Sequence, residues 1–164
     1  MVVKVGDTIP NATVILSSNA TEKNACAIPK KVSTADLFKG KVVLFAVPGC
    51  FTPTCHVSHL PSFVTHYEEF KKKGVDSVYC LSTNDIFVMD AWGKSSGADD
   101  KVKMVADGNG EFVNALGLNL DLTPQMMGAT RAKRFALIAQ DGVIQHLAVG
   151  DVDVSGAEAI LAKL

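Results

Sequence analysis

The chain has 164 residues, a formal net charge of −1, 48% hydrophobic and 20% charged residues, a balance ordinary for one globular domain over residues 1–164 with a core of useful size. No basic field is present to hold a phosphate backbone, which argues against a nucleic-acid partner, and no apolar run is long enough to cross a bilayer. The opening MVVKVGDTIP lacks the apolar core of a secretory signal and the arginines of a transit peptide, which points to the cytoplasm, or to an organelle matrix if a presequence has been removed. In a reducing compartment the four cysteines, Cys26, Cys50, Cys55 and Cys80, are expected to be buried, catalytic or metal-binding rather than paired.

Strand-like sequence around Ala12 to Leu16 precedes a polar stretch, Ser17 to Lys31, that holds Cys26, read as an incidental exposed thiol. A short helix follows that Ser33 can cap. Lys41 to Val47 (KVVLFAV) is a continuous apolar, β-branched run, as expected of a strand buried on both faces of a largely parallel sheet, and Val75 to Ser82 is a second. Between them Leu60, Phe63, Val64, Tyr67 and Phe70 form the stripe of an amphipathic helix, closed by Lys71 to Lys73 and Gly74. Strand, helix and strand make a right-handed βαβ unit. Further on, Asn84 is expected to cap a helix to about Lys94. Val102 to Ala106 reads as a strand, and Glu111 to Leu116 as a helix ended by Gly117. Phe135 to Gln140 and Val143 to Val149 flank the hairpin dipeptide Asp141-Gly142. Ser155-Gly-Ala-Glu158 reads as a capping box for a last helix, Ala157 to Leu164. The pattern implies an α/β fold with one mixed sheet flanked by helices.

The chemistry concentrates in PGCFTPTCHVSHLPSF, Pro48 to Phe63. Thr52 suits an N-cap and Pro53 the first helical position, which sets Cys55 in the first turn, beyond the carboxyl end of a parallel strand. Helix-start N–H groups and the macrodipole favour a thiolate there, the nucleophilic form of cysteine. Pro61 removes one helical hydrogen bond and predicts a kink or a late start to regular helix. His56 and His59 with Cys50 and Cys55 also offer zinc-compatible donors, but all four crowd one loop and turn, whereas structural zinc draws on separate segments.

Pro48-x-x-x-Thr52-x-x-Cys55 matches the P-x-x-x-T-x-x-C signature of peroxiredoxins, and PGCFTPTCHVSHLPSF resembles their type II, peroxiredoxin-5-like branch, closest to its plant-like group. The likeness continues through CLSTND (Cys80 to Asp85), Ala91-Trp-Gly93, VADGNGEF (Val105 to Phe112) and KRFALI (Lys133 to Ile138). It implies a thioredoxin-like fold with an N-terminal β-hairpin extension. It also implies a thiol-dependent peroxidase that reduces hydrogen peroxide and small organic hydroperoxides without metal, flavin or haem. Cys55 would be the peroxidatic thiolate, passing through a sulfenic acid. Thr52 would hydrogen-bond the thiolate and the peroxide, Pro48 would screen the sulfur from water, and Arg134 would supply a fixed positive charge that lowers the thiol pKa. Gly49 and the backbone N–H groups from Cys50 to Cys55 would help to cradle the peroxide. Arg131 competes with Arg134, and spacing alone does not choose between them.

Regeneration stays open at this level. Animal-type relatives resolve the sulfenic acid with a cysteine near the C-terminus, which this chain lacks, whereas plant-like relatives carry a cysteine where Cys80 stands. Cys80 is either the resolving residue or a silent core cysteine, in which case glutathione with glutaredoxin, or thioredoxin, must act as reductant. Cys50 replaces a common alanine and is expected to fill the pocket wall. Type II relatives commonly form homodimers through loops near the site, to which Phe51 and Trp92 could contribute. A peroxide sensor using the same cysteine is the alternative to an enzyme.

Overall fold

Seven strands form one mixed sheet in the computed structural model, which describes residues 1–164. In chain order the strands are β1 (Thr13–Ser17), β2 (Pro29–Ser33), β3 (Lys41–Ala46), β4 (Ser77–Ser82), β5 (Val102–Ala106), a short β6 (Asn119–Leu120) and β7 (Arg131–Ala132), then β8 (Phe135–Gln140) and β9 (Val143–Val149). The large sheet runs β2-β1-β5-β4-β3-β8-β9, while β6 and β7 pair apart from it. β3, β4 and β5 are mutually parallel, and β8 returns antiparallel to β3. The expected N-terminal hairpin is β1 with β2, joined to the sheet through Ile15 opposite Ala106 on β5.

The unbroken hydrophobicity of β3 follows from its central position. Successive side chains point to opposite faces, so Val43, Phe45 and Val47 enter one core and Val42, Leu44 and Ala46 the other. The helices are α1 (Thr34–Leu37), α2 (Leu60–Thr65), α3 (Tyr67–Lys72), α4 (Ile86–Ser95), α5 (Glu111–Leu116), α6 (Val152–Ser155) and α7 (Ala157–Leu161). α1 and α5 cover the second core, whereas α2, α3, α4 and α7 cover the first. Within that first core Phe45 stacks on Phe63 at 3.9 Å between centroids, and Phe63 on Phe70 at 5.5 Å. This aromatic column seats the helix that follows β3.

Three local expectations need correction. The single helix from Leu60 to Phe70 is divided at His66, whose backbone leaves helical values and whose ring Nδ1 lies 2.8 Å from the Ser62 carbonyl. Asn84 does not cap α4. Asp85 does, accepting from the N–H groups of Phe87 and Val88, because the Asn84 side chain is turned towards the loop after β3. Ser155 does not cap the last helix either. It is buried at the end of α6, where its hydroxyl donates to the carbonyls of Gly150 and Asp151. The Asp141-Gly142 turn forms as expected, with φ of 48° and 78° at its two residues.

Candidate active site

Cys55 lies one turn beyond β3, at the carboxyl edge of the parallel strands. Helical backbone begins at Pro53, and Cys55–His59 is a widened π turn closed by Leu60 N–H donating to the Cys55 carbonyl. Pro61 supplies the reason. Its ring would clash with the carbonyl four residues back in a regular helix and it has no N–H to donate, so the backbone widens just before it. The outcome is a π turn rather than a simple kink, and it leaves both Cys55 and His59 buried.

Thr52 occupies the expected position before Pro53, and its carbonyl accepts the first helical bond, from His56 N–H at 2.9 Å. Its side chain differs from expectation. The hydroxyl donates to the Gly49 carbonyl at 2.8 Å and neither caps the helix nor bonds to the sulfur, so it closes the loop on itself. The N–H groups of Thr54 and Cys55 consequently have no acceptor within the backbone. Gly49 fits because a side chain there would meet Thr52 Cγ2 at 3.2 Å and Met127 Cε at 3.3 Å. Phe51, in the same loop, is held at φ 58°.

The two arginines separate clearly. Arg134 enters from the start of β8 and its Nη2 donates to Cys55 Sγ at 3.3 Å, while Nη1 donates to His59 Nδ1 at 3.0 Å. His59 Nε2 in turn donates to the Ser155 carbonyl at 3.0 Å. Burial pulls the His59 pKa down to about 4, against the opposing effect of the Ser155 carbonyl and with a further push from Arg134. His59 is therefore a neutral acceptor for the guanidinium at physiological pH. Asp151 completes the setting, 3.8 Å from Arg134 Nε, although its carboxylate is exposed. Arg131 does other work, donating to the carbonyls of Met127 at 2.6 Å and Pro48 at 3.3 Å and reaching Asn84 Oδ1 at 3.5 Å. It braces the loop and does not touch Cys55.

Cys50 forms part of the pocket wall. Its backbone N–H donates to Asn84 Oδ1 at 2.9 Å and its Sγ lies 3.1 Å from Met89 Sδ. Burial, reinforced by the neighbouring Cys55, pushes its thiol up to about 12. Cys80 is fully buried at the middle of β4, between Phe45 of β3 and Met104 of β5, and burial raises its thiol well above the ordinary range. Cys26 is exposed, on a loop whose carbonyl accepts from Asn19. All four cysteines are free thiols.

The histidines do not converge with the cysteines as a metal set. His56 Nδ1 accepts from Trp92 Nε1 at 3.0 Å, and both nitrogens of His59 are engaged with Arg134 and Ser155. From sequence His59 enters only as a metal donor and not as the acceptor that Arg134 finds, and Asn84 and Ser155 enter only as caps. The four-residue step from Cys55 to His59 was the available signal for His59, since it places both on one side of a helix. Nothing local pointed to Asn84 or Ser155, whose partners lie 34 and 96 residues away.

The Redoxin family profile matches residues 4–161. Peroxiredoxin-2B of Arabidopsis thaliana is 41% identical over 99% of this chain and 98% of its own length. This chain belongs to the peroxiredoxins. The chloroplastic peroxiredoxin-2E of the same plant is also 41% identical, over 99% of this chain and 69% of its own length. Among solved structures, reduced Prx3 from Vibrio vulnificus in complex with H2O2 superposes with a TM-score of 0.87 at 40% identity, covering 98% of each chain. This peroxiredoxin is accordingly of the plant type II kind and is a thiol-dependent peroxidase, with a peroxide as substrate and a thiol as reductant. No helix of this peroxiredoxin is long and apolar enough to cross a membrane.

Proposed function

We propose that Cys55 is the peroxidatic nucleophile and that Arg134, Thr52, Pro48 and Gly49 complete its site. The observation that carries this reading is the 3.3 Å contact from Arg134 Nη2 to Cys55 Sγ. It sets a permanent cation against the sulfur, where negative charge sits on the thiolate and develops on the peroxide oxygens. In the reaction the thiolate attacks the nearer peroxide oxygen. The S–O bond forms, the O–O bond breaks, and hydroxide or alkoxide leaves with the bonding pair and is protonated by solvent, so that sulfur becomes sulfenic acid. Thr52 already gives its proton to Gly49, which leaves its oxygen free to accept from the peroxide O–H. The unpartnered N–H groups of Thr54 and Cys55 supply donors in the same turn. Pro48, half-buried and braced through its carbonyl by Arg131, shields one side.

In this reading Cys80 stays silent and an external thiol, glutathione with glutaredoxin or thioredoxin, resolves the sulfenic acid. The burial of Cys80 within three paired strands supports this, since reaching Cys55 would require part of the sheet or the π turn that carries Cys55 to open. We propose in addition a homodimer in a reducing cytoplasm, with exposed apolar side chains around Cys55 as the surface that would meet the partner. Phe51 is half-exposed and Val57 largely so, on the loop and turn around Cys55. Trp92 does not join that surface: it is fully buried and supports Phe51 from beneath, with centroids 6.3 Å apart.

Intact mass after one equivalent of hydrogen peroxide tests the assignment. Gain of one oxygen on Cys55 is expected, and a Cys55→Ser variant that consumes peroxide at the parent rate would refute it.

A further inference from the structure

Beside the Cys55 pocket lies an open cleft of about 360 Å³ whose walls include both Pro48 and Arg134. Hydrogen peroxide leaves most of it unfilled, because the cleft is roughly ten times the volume occupied by a molecule of water size. Its remaining lining divides by chemistry. Leu120 and Val149 provide an apolar wall, Lys133 stands on the β7–β8 connection next to Arg134, and Asp151 lies near the Arg134 guanidinium.

Asp151 lies 3.8 Å from Arg134 Nε with its carboxylate exposed to water, whereas Lys133 takes part in no ion pair and is the cation of the cleft not already engaged by Cys55 or Asp151. Its backbone is fixed by the N–H donating to the Leu118 carbonyl at 2.8 Å, and the residue, half-buried, lines the cleft together with Leu120 and Val149. Such a surface is complementary to a hydrocarbon chain bearing an anionic group, with the chain along Leu120 and Val149 and the anion at Lys133.

We propose that this cleft holds the organic part of a carboxylate-bearing hydroperoxide, with Lys133 as the cation that recognises the carboxylate. The inference rests on Cys55 being the nucleophile. Cys55 thiolate attacks the terminal oxygen of R–O–OH, the S–O bond forms as the O–O bond breaks, and R–O⁻ departs to take a proton from water. Sulfur is oxidised by two electrons and the hydroperoxide is reduced to an alcohol that keeps its carboxylate. Lys133 takes no part in the bond changes and selects among substrates.

The test compares kcat/KM for an ω-hydroperoxy carboxylic acid with that for its methyl ester, which shares the chain and the reacting group but lacks the charge. The parent enzyme is expected to favour the acid about threefold, the scale of one partly exposed ion pair. Lys133→Arg should keep that preference, and Lys133→Glu should reverse it in favour of the ester. In the parent enzyme the preference should also fall as salt is raised, a readout that needs no variant. Equal rates for acid and ester in the parent enzyme, or the same ratio in Lys133→Glu as in the parent, would overturn the inference while leaving Cys55 in its role. Failure of the parent enzyme to consume hydrogen peroxide itself would overturn the Cys55 reading as well.

Discussion

His59 Nδ1 accepts a hydrogen bond from Arg134 Nη1 at 3.0 Å, and this contact aims the other arm of the guanidinium at Cys55. The imidazole can do this only while neutral, and its burial beside a permanent cation keeps it so. The line from the Ser155 carbonyl through His59 and Arg134 to the sulfur joins α6, the π turn and the start of β8. The setting of the Cys55 sulfur is therefore built by groups remote from it in the chain.

Replacing His59 by phenylalanine keeps a ring in the cavity and removes the acceptor. Loss of a hydrogen bond to a charged group is worth about 1.5–3 kcal/mol, so the second-order rate constant with hydrogen peroxide should fall by roughly tenfold or more. His59→Gln, which retains an acceptor, should recover part of the loss. Competition kinetics would measure both, and unchanged rates in His59→Phe would remove His59 from the positioning of Arg134.

The same histidine predicts a dependence of stability on pH. Its folded pKa, about 4, lies below the ordinary 6.5. The neutral ring thus contributes stability in full above pH 6.5, and the contribution is lost as the pH falls towards 4 because the unfolded chain takes up a proton that the folded one refuses. The difference amounts to about 3 kcal/mol. Urea unfolding across this range should show a steeper decline in the parent than in His59→Gln, and parallel declines would contradict the assignment.

Arg134→Gln should slow peroxide attack by roughly a hundredfold, the scale for removing one donor aimed at developing charge. Arg131→Gln should affect the rate less and stability more, since it releases the carbonyls of Pro48 and Met127. Stopped-flow rates with a thermal melt on each variant separate the two roles, and equal rate effects would show that the arginines share one function.

Cys80→Ala should leave peroxide turnover with an external thiol unchanged and lower stability by about 1 kcal/mol through a small cavity in β4. In excess peroxide without reductant, Cys55 should pass to sulfinic acid at the same rate in variant and parent. Mass spectrometry of the Cys55 peptide decides the matter, because slower overoxidation in the parent would mean that Cys80 intercepts the sulfenic acid.

The fold was largely legible because its signals are local. The run from Lys41 to Val47, the turn at Asp141-Gly142 and the glycine after Leu116 each announce an element through the residues that form it. Errors fell where a polar side chain found a distant partner better than the local cap: Asn84 turned to the loop at Cys50, and Ser155 faced inward towards His59. Thr52 likewise stood at the expected position while its hydroxyl went to Gly49.

By itself, the sequence determined that Cys55 would stand at a helix start beyond a buried parallel strand, because strand periodicity, the Thr52-Pro53 pair and Pro61 are short-range constraints on the backbone. The family resemblance already favoured Arg134, but residue spacing could not choose between the two arginines, and only the tertiary structure puts one of them in contact with the sulfur. Arg131 and Arg134 are three residues apart and alike in chemistry, and the choice follows from β8 pairing with β3, which carries Arg134 to the side where neutral His59 can receive it.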